Sequence, residues 1–295
     1  MDVFTLHNLI ELSYNSLSYA ALLFLLASGL SIIFGVMRIV NLAHAAFFLL
    51  GGYIALTTYR VLGTALWTLP VAMVVGGGVV AALSVFIERY FLRRLGQDTV
   101  AQVLVTIGFA FILFDTNILI WTGDNYMLHR PWPLDDSTVI GGISFPRYRA
   151  FMILAAVLAW AILYFVIERT RAGAIVRATV DDPEMARGIG INTNVVQMSI
   201  YALGVFLSAM GGVVGGSFLG VAPGLDFQVL PYAFAVVIIG GLGSLTGAVV
   251  GSIVVGFMDN FGTALFPELS YFALFAPMAL ILAVKPTGLF GRSQT

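Results

Sequence analysis

The segment ERTRAGAIVRATVDDPEMARGIGINTN, residues 168–194, decides how the rest of the chain is read, because it is polar between long apolar stretches. Its charges are four arginines and four carboxylates, at Arg169, Arg171, Arg177, Arg187, Glu168, Asp181, Asp182 and Glu184. Charged side chains at this density do not enter hydrocarbon, where their burial is costly. The segment therefore faces water, and the apolar stretches on both sides are predicted to be membrane spans.

The pattern inside this segment predicts a short helix. Asp181 can accept hydrogen bonds from the free amides of a first helical turn, and Glu184 three residues later fits the return half of a capping box. Pro183 suits the first turn, and Gly188 supplies the stop. A short helix that is too polar for the bilayer is typical of a docking element for a soluble partner, and an ordinary solvated loop is the alternative.

The composition indicates an all-α polytopic membrane protein. Hydrophobic residues make up 60% of the 295 residues and charged residues 10%, with a mean hydropathy of +0.99, whereas about a quarter of the residues in soluble domains are charged. The net charge of −1, spread over separate loops, provides no basic surface for nucleic acid. The chain has no cysteine, which excludes disulfides, thiolate nucleophiles and cysteine-ligated metals.

Hydrophobic segments of spanning length organise residues 1–295 as a single transmembrane domain. A helix that crosses about 30 Å of hydrocarbon needs about 20 apolar residues. Seven full spans are predicted, at residues 12–34, 42–59, 67–87, 100–121, 151–167, 195–216 and 271–284. An eighth apolar segment, residues 232–258, is interrupted by the glycine-rich run GGLGSLTGAVVGS. Its halves, of about 10 to 12 residues, are too short to cross alone, which predicts a broken or re-entrant segment near residues 240–247; a complete, bent span is the alternative.

The distribution of lysine and arginine predicts the orientation. Ten of these residues lie in the loops 35–41, 88–99 and 168–194 and in the tail from residue 285, and four lie on the other side. Because positive loops stay in the cytoplasm, we expect an external amino terminus, a cytoplasmic carboxyl terminus and a cytoplasmic coupling loop at residues 168–194. This orientation requires residues 232–258 to enter and leave on the outer side.

Residues 122–149 form the only long loop on the predicted outer side. This external loop mixes aromatic anchors, Tyr126 and Trp132, with charges that include Asp135, Asp136 and Arg147. Aromatic residues of this kind mark the level of the membrane interface. A rigid, charged, aromatic loop could equally receive a soluble protein from outside, and both interpretations stay open.

The sequence lacks the motifs of several enzyme classes. The single lysine, Lys285, precedes Pro286, so the chain has no Walker A loop for ATP. The three histidines form no HExxH motif, and no GxSxG elbow is present. We therefore expect no catalytic residue, no metal site and no cofactor bound by this chain.

Polar residues inside the predicted spans are candidate pathway residues, because their burial in a membrane is costly. Asp115 and Asn117 lie in the fourth span, and Asn41 and His44 stand where the second span begins. Asp115 could instead be a paired acid or reach outer water, and Asn41 and His44 could cap and pin a helix start. The broken segment could offer half-helix dipoles to a zwitterion. Its candidate pathway residues are Gly240, Gly241, Gly243 and Ser244.

The run FGVMRIVNLAHAAFFLLGGYIA, residues 34–55, closely resembles the signature of LivH-type permeases, the membrane subunits of branched-chain amino-acid ABC importers. Four further stretches agree, namely LSYNSLSYAALLFLLASGLSIIFG from Leu12, RATVDDPEMARGIGIN from Arg177, VIIGGLGSLTGAVVGSIVVGF from Val237 and the tail KPTGLFG from Lys285. They cover nearly the whole chain in the right order. One departure is Ala45, where the family often has glycine.

The resemblance implies a five-component importer in the bacterial cytoplasmic membrane. Its parts are this permease, a second homologous permease, two cytoplasmic ATPases that use ATP and Mg, and an extracytoplasmic binding protein. The family's coupling helix would be seated in an ATPase groove, and its residues here are Asp181, Asp182, Pro183, Glu184, Met185, Arg187 and Gly188. Branched-chain or other small apolar amino acids are the implied cargo. Urea, short-chain amides or aromatic acids are alternatives, as is a stand-alone secondary carrier.

Overall fold

A computed structural model of the chain describes residues 5–96 and 98–291. The α-helices of this part are α1 (Leu6–Met37), α2 (His44–Leu62), α3 (Thr68–Tyr90), α4 (Thr99–Trp121), α5 (Arg147–Arg169), α6 (Arg171–Asp181), α7 (Pro183–Gly188), α8 (Thr193–Gly216), α9 (Leu225–Gly240), α10 (Leu245–Leu265) and α11 (Ser270–Val284). Short 3-10 turns cover Leu92–Leu95 and Pro267–Leu269. A two-stranded antiparallel hairpin is formed by β1 (Ser137–Ile140) and β2 (Ile143–Pro146).

Seven helices in the described residues are long and apolar enough to cross a membrane. They are α1, α2, α3 with the turn that follows it, α4, α5, α8 and α10. This confirms the all-α polytopic membrane class. The seventh long helix is α10, however, and not the predicted span at residues 271–284, because α11 has only 15 residues.

Helix α1 is the centre of the bundle, and most of its residues from Ser16 to Ile33 are buried. A helix surrounded by other helices must be apolar on every side. It packs closely on α8, where a Cβ on Gly29 would overlap the Gly204 carbonyl. On α8, Gly212 likewise meets the backbone of Phe48. Small residues of α8 therefore bring three helices to backbone distance within one subunit.

The helices alternate in direction, so the loops collect at two ends of the bundle. One end holds residues 38–43, 91–96, 170–192, 241–244 and 285–291, and we name it the Arg38 end. The opposite end, named the Trp132 end, holds residues 63–67, 122–146 and 217–224. At the Trp132 end, the long loop folds over α8 through a bridge between Tyr126 and Val221.

Helices α9 and α10 form a hairpin around the glycine-rich run, which confirms the predicted break. The halves are longer than predicted, at 16 and 21 residues, because α9 begins seven residues before the apolar run, at Leu225, and α10 continues seven residues beyond it, to Leu265. The prediction that each half is too short to cross alone was therefore wrong for α10, which is long and apolar enough to cross a membrane. An α-helix of 16 residues is about 24 Å long. The turn at 241–244 lies against Gly35, two residues before α1 ends. The hairpin thus enters and leaves at the Trp132 end, as the predicted orientation requires, but it reaches the full depth of the bundle.

Candidate functional site

Two helices, and not one, fill the polar segment between α5 and α8. Thr170 begins α6 by accepting a hydrogen bond from the Gly173 amide at 3.2 Å. The side of α6 that carries Gly173 and Thr179 is buried. Helix α6 therefore holds the short helix α7 against the bundle at the Arg38 end.

The cap of α7 is Asp182, and the prediction of Asp181 was wrong by one residue. The Asp182 carboxylate accepts hydrogen bonds from the amides of Glu184 at 3.0 Å and Met185 at 2.9 Å, while Asp181 is the last residue of α6. Pro183 occupies the first helical position, as predicted. Since Glu184 is then the second helical residue and not the third, no capping box can form.

The stop of α7 is Gly190 and not Gly188, which is the last helical residue. Gly190 has a φ of +90°, a conformation that glycine adopts at low cost. Its amide donates to the Arg187 carbonyl at 3.0 Å, and the Ile191 amide donates to the Ala186 carbonyl at 3.0 Å. This pair of bonds is a Schellman motif, which satisfies the last carbonyls of the helix.

The outer surface of α7 combines apolar and charged side chains. Met185 and Ile189 are 64% and 69% exposed, and Glu184 and Arg187 are also exposed. The Arg187 guanidinium donates to the Thr193 hydroxyl at 2.9 Å, which ties α7 to the first residue of α8. An exposed apolar pair between charges, on a short helix with both ends capped, can bind a soluble protein.

Asn41 lies in a buried polar contact at the Arg38 end. Its amide nitrogen donates to the Tyr201 hydroxyl at 3.1 Å, and its oxygen accepts from the Ala43 amide at 3.1 Å. Tyr201 was not predicted from the sequence, since it is 160 residues away. The contact joins the break between α1 and α2 to the middle of α8.

A half-buried ion pair also lies at the Arg38 end. Glu88, 1% exposed, receives two hydrogen bonds from Arg93, at 2.9 and 3.2 Å. Arg93 also donates to the Asn194 carbonyl in the first turn of α8. The pair therefore links the end of α3 to the helix that follows α7. Neither residue was predicted, although a Glu and an Arg five residues apart at a helix end are a recognisable signal.

His44 pins α2 to its neighbours. Its Nε2 lies 2.9 Å from the Leu26 carbonyl, and because a carbonyl only accepts, Nε2 carries the proton. The His44 carbonyl in turn accepts from the Ser208 hydroxyl at 2.9 Å. His44 has no exposed surface and joins α1, α2 and α8. This agrees with the alternative that His44 pins the start of a helix.

Asp115 and Asn117 lie on different sides of α4. The buried stripe of this helix ends in Asn117, which is 1% exposed, whereas Asp115 is exposed on the outward face. Two residues along a helix are about 200° apart. The structure therefore does not bring the two predicted pathway residues together, and both lie far from Asn41 along the bundle.

The polar groups of the 241–244 turn are engaged inside the subunit. The Leu289 and Phe290 amides of the tail donate to the Ile239 and Gly240 carbonyls, both at 2.9 Å. Ser244 caps α10 by accepting from the Gly247 amide at 2.9 Å. The half-helix ends predicted to face a zwitterion therefore already have partners. Of the other predicted residues here, Gly241 packs against the tail and Gly243 against α1.

The comparison with protein families decides what this bundle is. The family described as branched-chain amino acid transport system, permease component, matches residues 13–284. The chain belongs to this permease family. Its members are components of ABC importers, so the bundle is a multi-pass permease subunit and not an enzyme. Importers of this class work with ATPase and binding-protein partners.

Individual relatives agree with the family. The permease is 28% identical to the high-affinity branched-chain amino acid transport system permease protein BraD of Pseudomonas aeruginosa, over 95% of each chain. It is 28% identical to LivH of Escherichia coli K12 with the same coverage. A probable LivH of Methanocaldococcus jannaschii is 24% identical over 92% of this chain and 90% of the relative. No solved structure matches the chain significantly.

Proposed function

We propose that this permease imports branched-chain or other small apolar amino acids by alternating access, driven by two separate ATPase subunits that bind ATP and Mg. The observation that supports this cargo is the similarity to BraD and LivH, both named for branched-chain amino acids, over 95% of the chain. Urea, short-chain amides and aromatic acids are the alternative cargoes for the same architecture. A cargo changes the state of the bundle only through unequal affinity for its two states.

Helix α7 is the element that receives the ATPase. Its exposed Met185 and Ile189, flanked by Glu184 and Arg187, enter a groove of the ATPase. The contact of Arg187 with Thr193 passes motion of α7 to α8. Because α8 packs on α1, α2 and α3, a shift of α8 moves the core of the bundle.

The Arg38 end lies in the cytoplasm and the Trp132 end outside. Of the thirteen basic residues that the structure describes, nine stand in segments of the Arg38 end or adjoining helix termini, in agreement with the positive-inside rule. At the other end, Trp132, Val139 and Ile140 are 76%, 67% and 64% exposed. We assign this apolar surface of the external loop, residues 122–149, to the substrate-binding protein.

A second, homologous permease covers the outward face of α4. Asp115 stands on this face within a predicted span, where contact with lipid would be costly. The neighbouring Phe111 and Phe227 are also exposed and lie with their rings 5.7 Å apart. A subunit interface with a wet pathway beside α4 and α9 accommodates both the carboxylate and the aromatic rings.

Uptake by the complete importer tests the cargo. The permease, its homologous partner, the ATPases and the binding protein are reconstituted in vesicles with the binding-protein side accessible. We expect accumulation of labelled L-leucine that requires ATP and is inhibited by excess isoleucine. Inhibition by urea or benzoate but not by isoleucine would contradict the proposed cargo and support the alternatives.

A further inference from the structure

Three buried polar side chains lie among α2, α4 and α9, apart from the contacts described at the Arg38 end. They are Tyr53, Asn117 and Asp226, with exposed fractions of 0%, 1% and 3%. We name them the Asp226 cluster. Only Asn117 was singled out from the sequence, because α9 was not expected to begin at Leu225.

The register between α2 and α4 places Asn117 beside Tyr53. The Leu42 amide contacts the Thr106 hydroxyl at 3.3 Å, and the Trp121 indole donates to the Thr57 hydroxyl at 2.8 Å. Both contacts join residues 64 positions apart. Asn117 follows Tyr53 by the same 64 positions, so the two side chains lie at the same level of two parallel helices.

The first turn of α9 brings Asp226 to the same place. The Phe227 ring lies 5.7 Å from the ring of Phe111 and 6.0 Å from that of Phe114, so this turn packs on α4. Helix α2, which carries Tyr53, also packs on α9. Tyr53 stacks on Trp121, one turn beyond Asn117, with the ring centroids 5.0 Å apart.

Four polar atoms of the Asp226 cluster are unpaired. Within residues 5–96 and 98–291, the Tyr53 hydroxyl, both side-chain amide atoms of Asn117 and Oδ1 of Asp226 have no hydrogen-bond partner. Asp226 belongs to none of the ion pairs found within the described part of the chain. Buried polar atoms and carboxylates need partners. The cluster therefore has the composition of a binding site for a polar cation.

We propose that the Asp226 cluster binds the ammonium group of an amino-acid cargo during transport. This inference rests on the function proposed above. An ammonium group has three N–H donors, and Asp226 Oδ1, the Tyr53 hydroxyl oxygen and the Asn117 oxygen are three acceptors. The Asn117 nitrogen remains as a donor to the cargo carboxylate.

The cargo reaches the cluster from the face shared by α4 and α9. Phe227, next to Asp226 in the chain, is exposed on this face together with Phe111. Their rings suit an apolar side chain, and Asp115 on the same helix as Phe111 is exposed as well. Asn117 and Asp226 are buried on the same two helices, so a displacement of the first turn of α9 would expose the cluster to this face.

Substitution Asp226→Asn tests the charge. In vesicles with the complete importer and L-leucine-loaded binding protein, we expect Asp226→Asn to lower leucine uptake by about tenfold to a hundredfold, the usual effect of losing a hydrogen bond to a charged group. The matched control is Asp259→Asn, whose carboxylate already accepts from the Tyr232 hydroxyl at 3.0 Å. The control should keep leucine uptake near the wild-type rate.

A binding measurement separates recognition from a structural effect. The assembled complex, without binding protein, is titrated with L-leucine and with 4-methylpentanoate, which lacks the ammonium group. The wild type should favour leucine, and Asp226→Asn should lose this preference without weaker binding of 4-methylpentanoate. If Asp226→Asn weakened binding of both ligands equally, or if it kept wild-type leucine uptake, the assignment of the Asp226 cluster would be overturned. The proposed cargo would not be affected by either result. Absence of leucine uptake by the wild-type importer would overturn the proposed cargo and the site with it.

Discussion

Helix α7 and the 241–244 turn lie at the same end of the bundle, but their polar groups have different partners. Helix α7 satisfies its own ends through Asp182 and Gly190, and it leaves Met185 and Ile189 exposed. The turn uses its carbonyls and glycines to hold the tail and α1. A short exposed helix that caps its own ends leaves its side chains available to a partner, whereas a glycine turn at close approach serves the packing of the bundle.

Substitution Gly243→Val should have the largest effect on folding. Gly243 has a φ of +80°, and a Cβ there would overlap the Gly35 backbone. Valine would be strained and would push the turn away from α1, at a cost of about 2–5 kcal/mol. The measurement is the thermal unfolding of the purified complex, together with its yield.

The matched substitution in α7 is Gly188→Ala. Nothing lies within 4 Å of a Cβ at Gly188, and alanine favours a helix by about 1 kcal/mol over glycine. The unfolding temperature should stay the same or rise slightly. If Gly243→Val and Gly188→Ala had the same unfolding temperature, the distinction between the 241–244 turn, which serves packing, and the exposed helix α7 would be lost.

The double substitution Glu184→Ala and Arg187→Ala should uncouple transport from ATP hydrolysis. Both side chains flank the exposed apolar surface of α7, and loss of interface contacts of this kind commonly lowers function by about tenfold or more. Membrane insertion and ATP hydrolysis should persist while uptake falls. The control is Arg171→Ala, an exposed arginine at the start of α6. Unchanged uptake in the double variant would count against α7 as the coupling element.

Substitution Asp182→Ala should have a smaller, local effect. Loss of an N-cap side chain costs about 1 kcal/mol. The amides of Glu184 and Met185 donate hydrogen bonds to the Asp182 carboxylate. Without this carboxylate, hydrogen exchange at the two amides should become faster. Asp181→Ala should leave exchange at these two amides unchanged, and the reverse pattern would restore Asp181 as the cap.

The sequence predicted the local features of the fold and missed those that depend on distant neighbours. The length of the apolar segments was enough to predict helices α1 to α5 and α8. The glycine-rich run was enough to predict the break after Gly240. The start of α9 was missed because Asp226, Gln228 and Pro231 lower the local hydropathy. Two adjacent aspartates could each cap α7, and the choice of Asp182 depends on where α6 ends.

Several residues of the candidate site that were not predicted from the sequence have partners far away in the chain. Tyr201 and Arg93 meet partners 160 and 101 residues away. The placement of Asp226 near Tyr53 likewise depends on how α9 packs against α2 and α4. Residue type and spacing identified Asn41, His44 and Asn117 as unusual, but they carried no information about which helix each would face.

Cross-linking from a single introduced cysteine tests whether α7 is the part of the bundle that contacts the ATPase. The chain has no cysteine, so Met185→Cys and Trp132→Cys each carry one thiol, at opposite ends of the bundle. In the assembled importer with a short bismaleimide, Met185→Cys should cross-link to an ATPase subunit, and Trp132→Cys should not. A cross-link to the ATPase from Trp132→Cys, with none from Met185→Cys, would contradict the assignment of α7 and the orientation of the bundle.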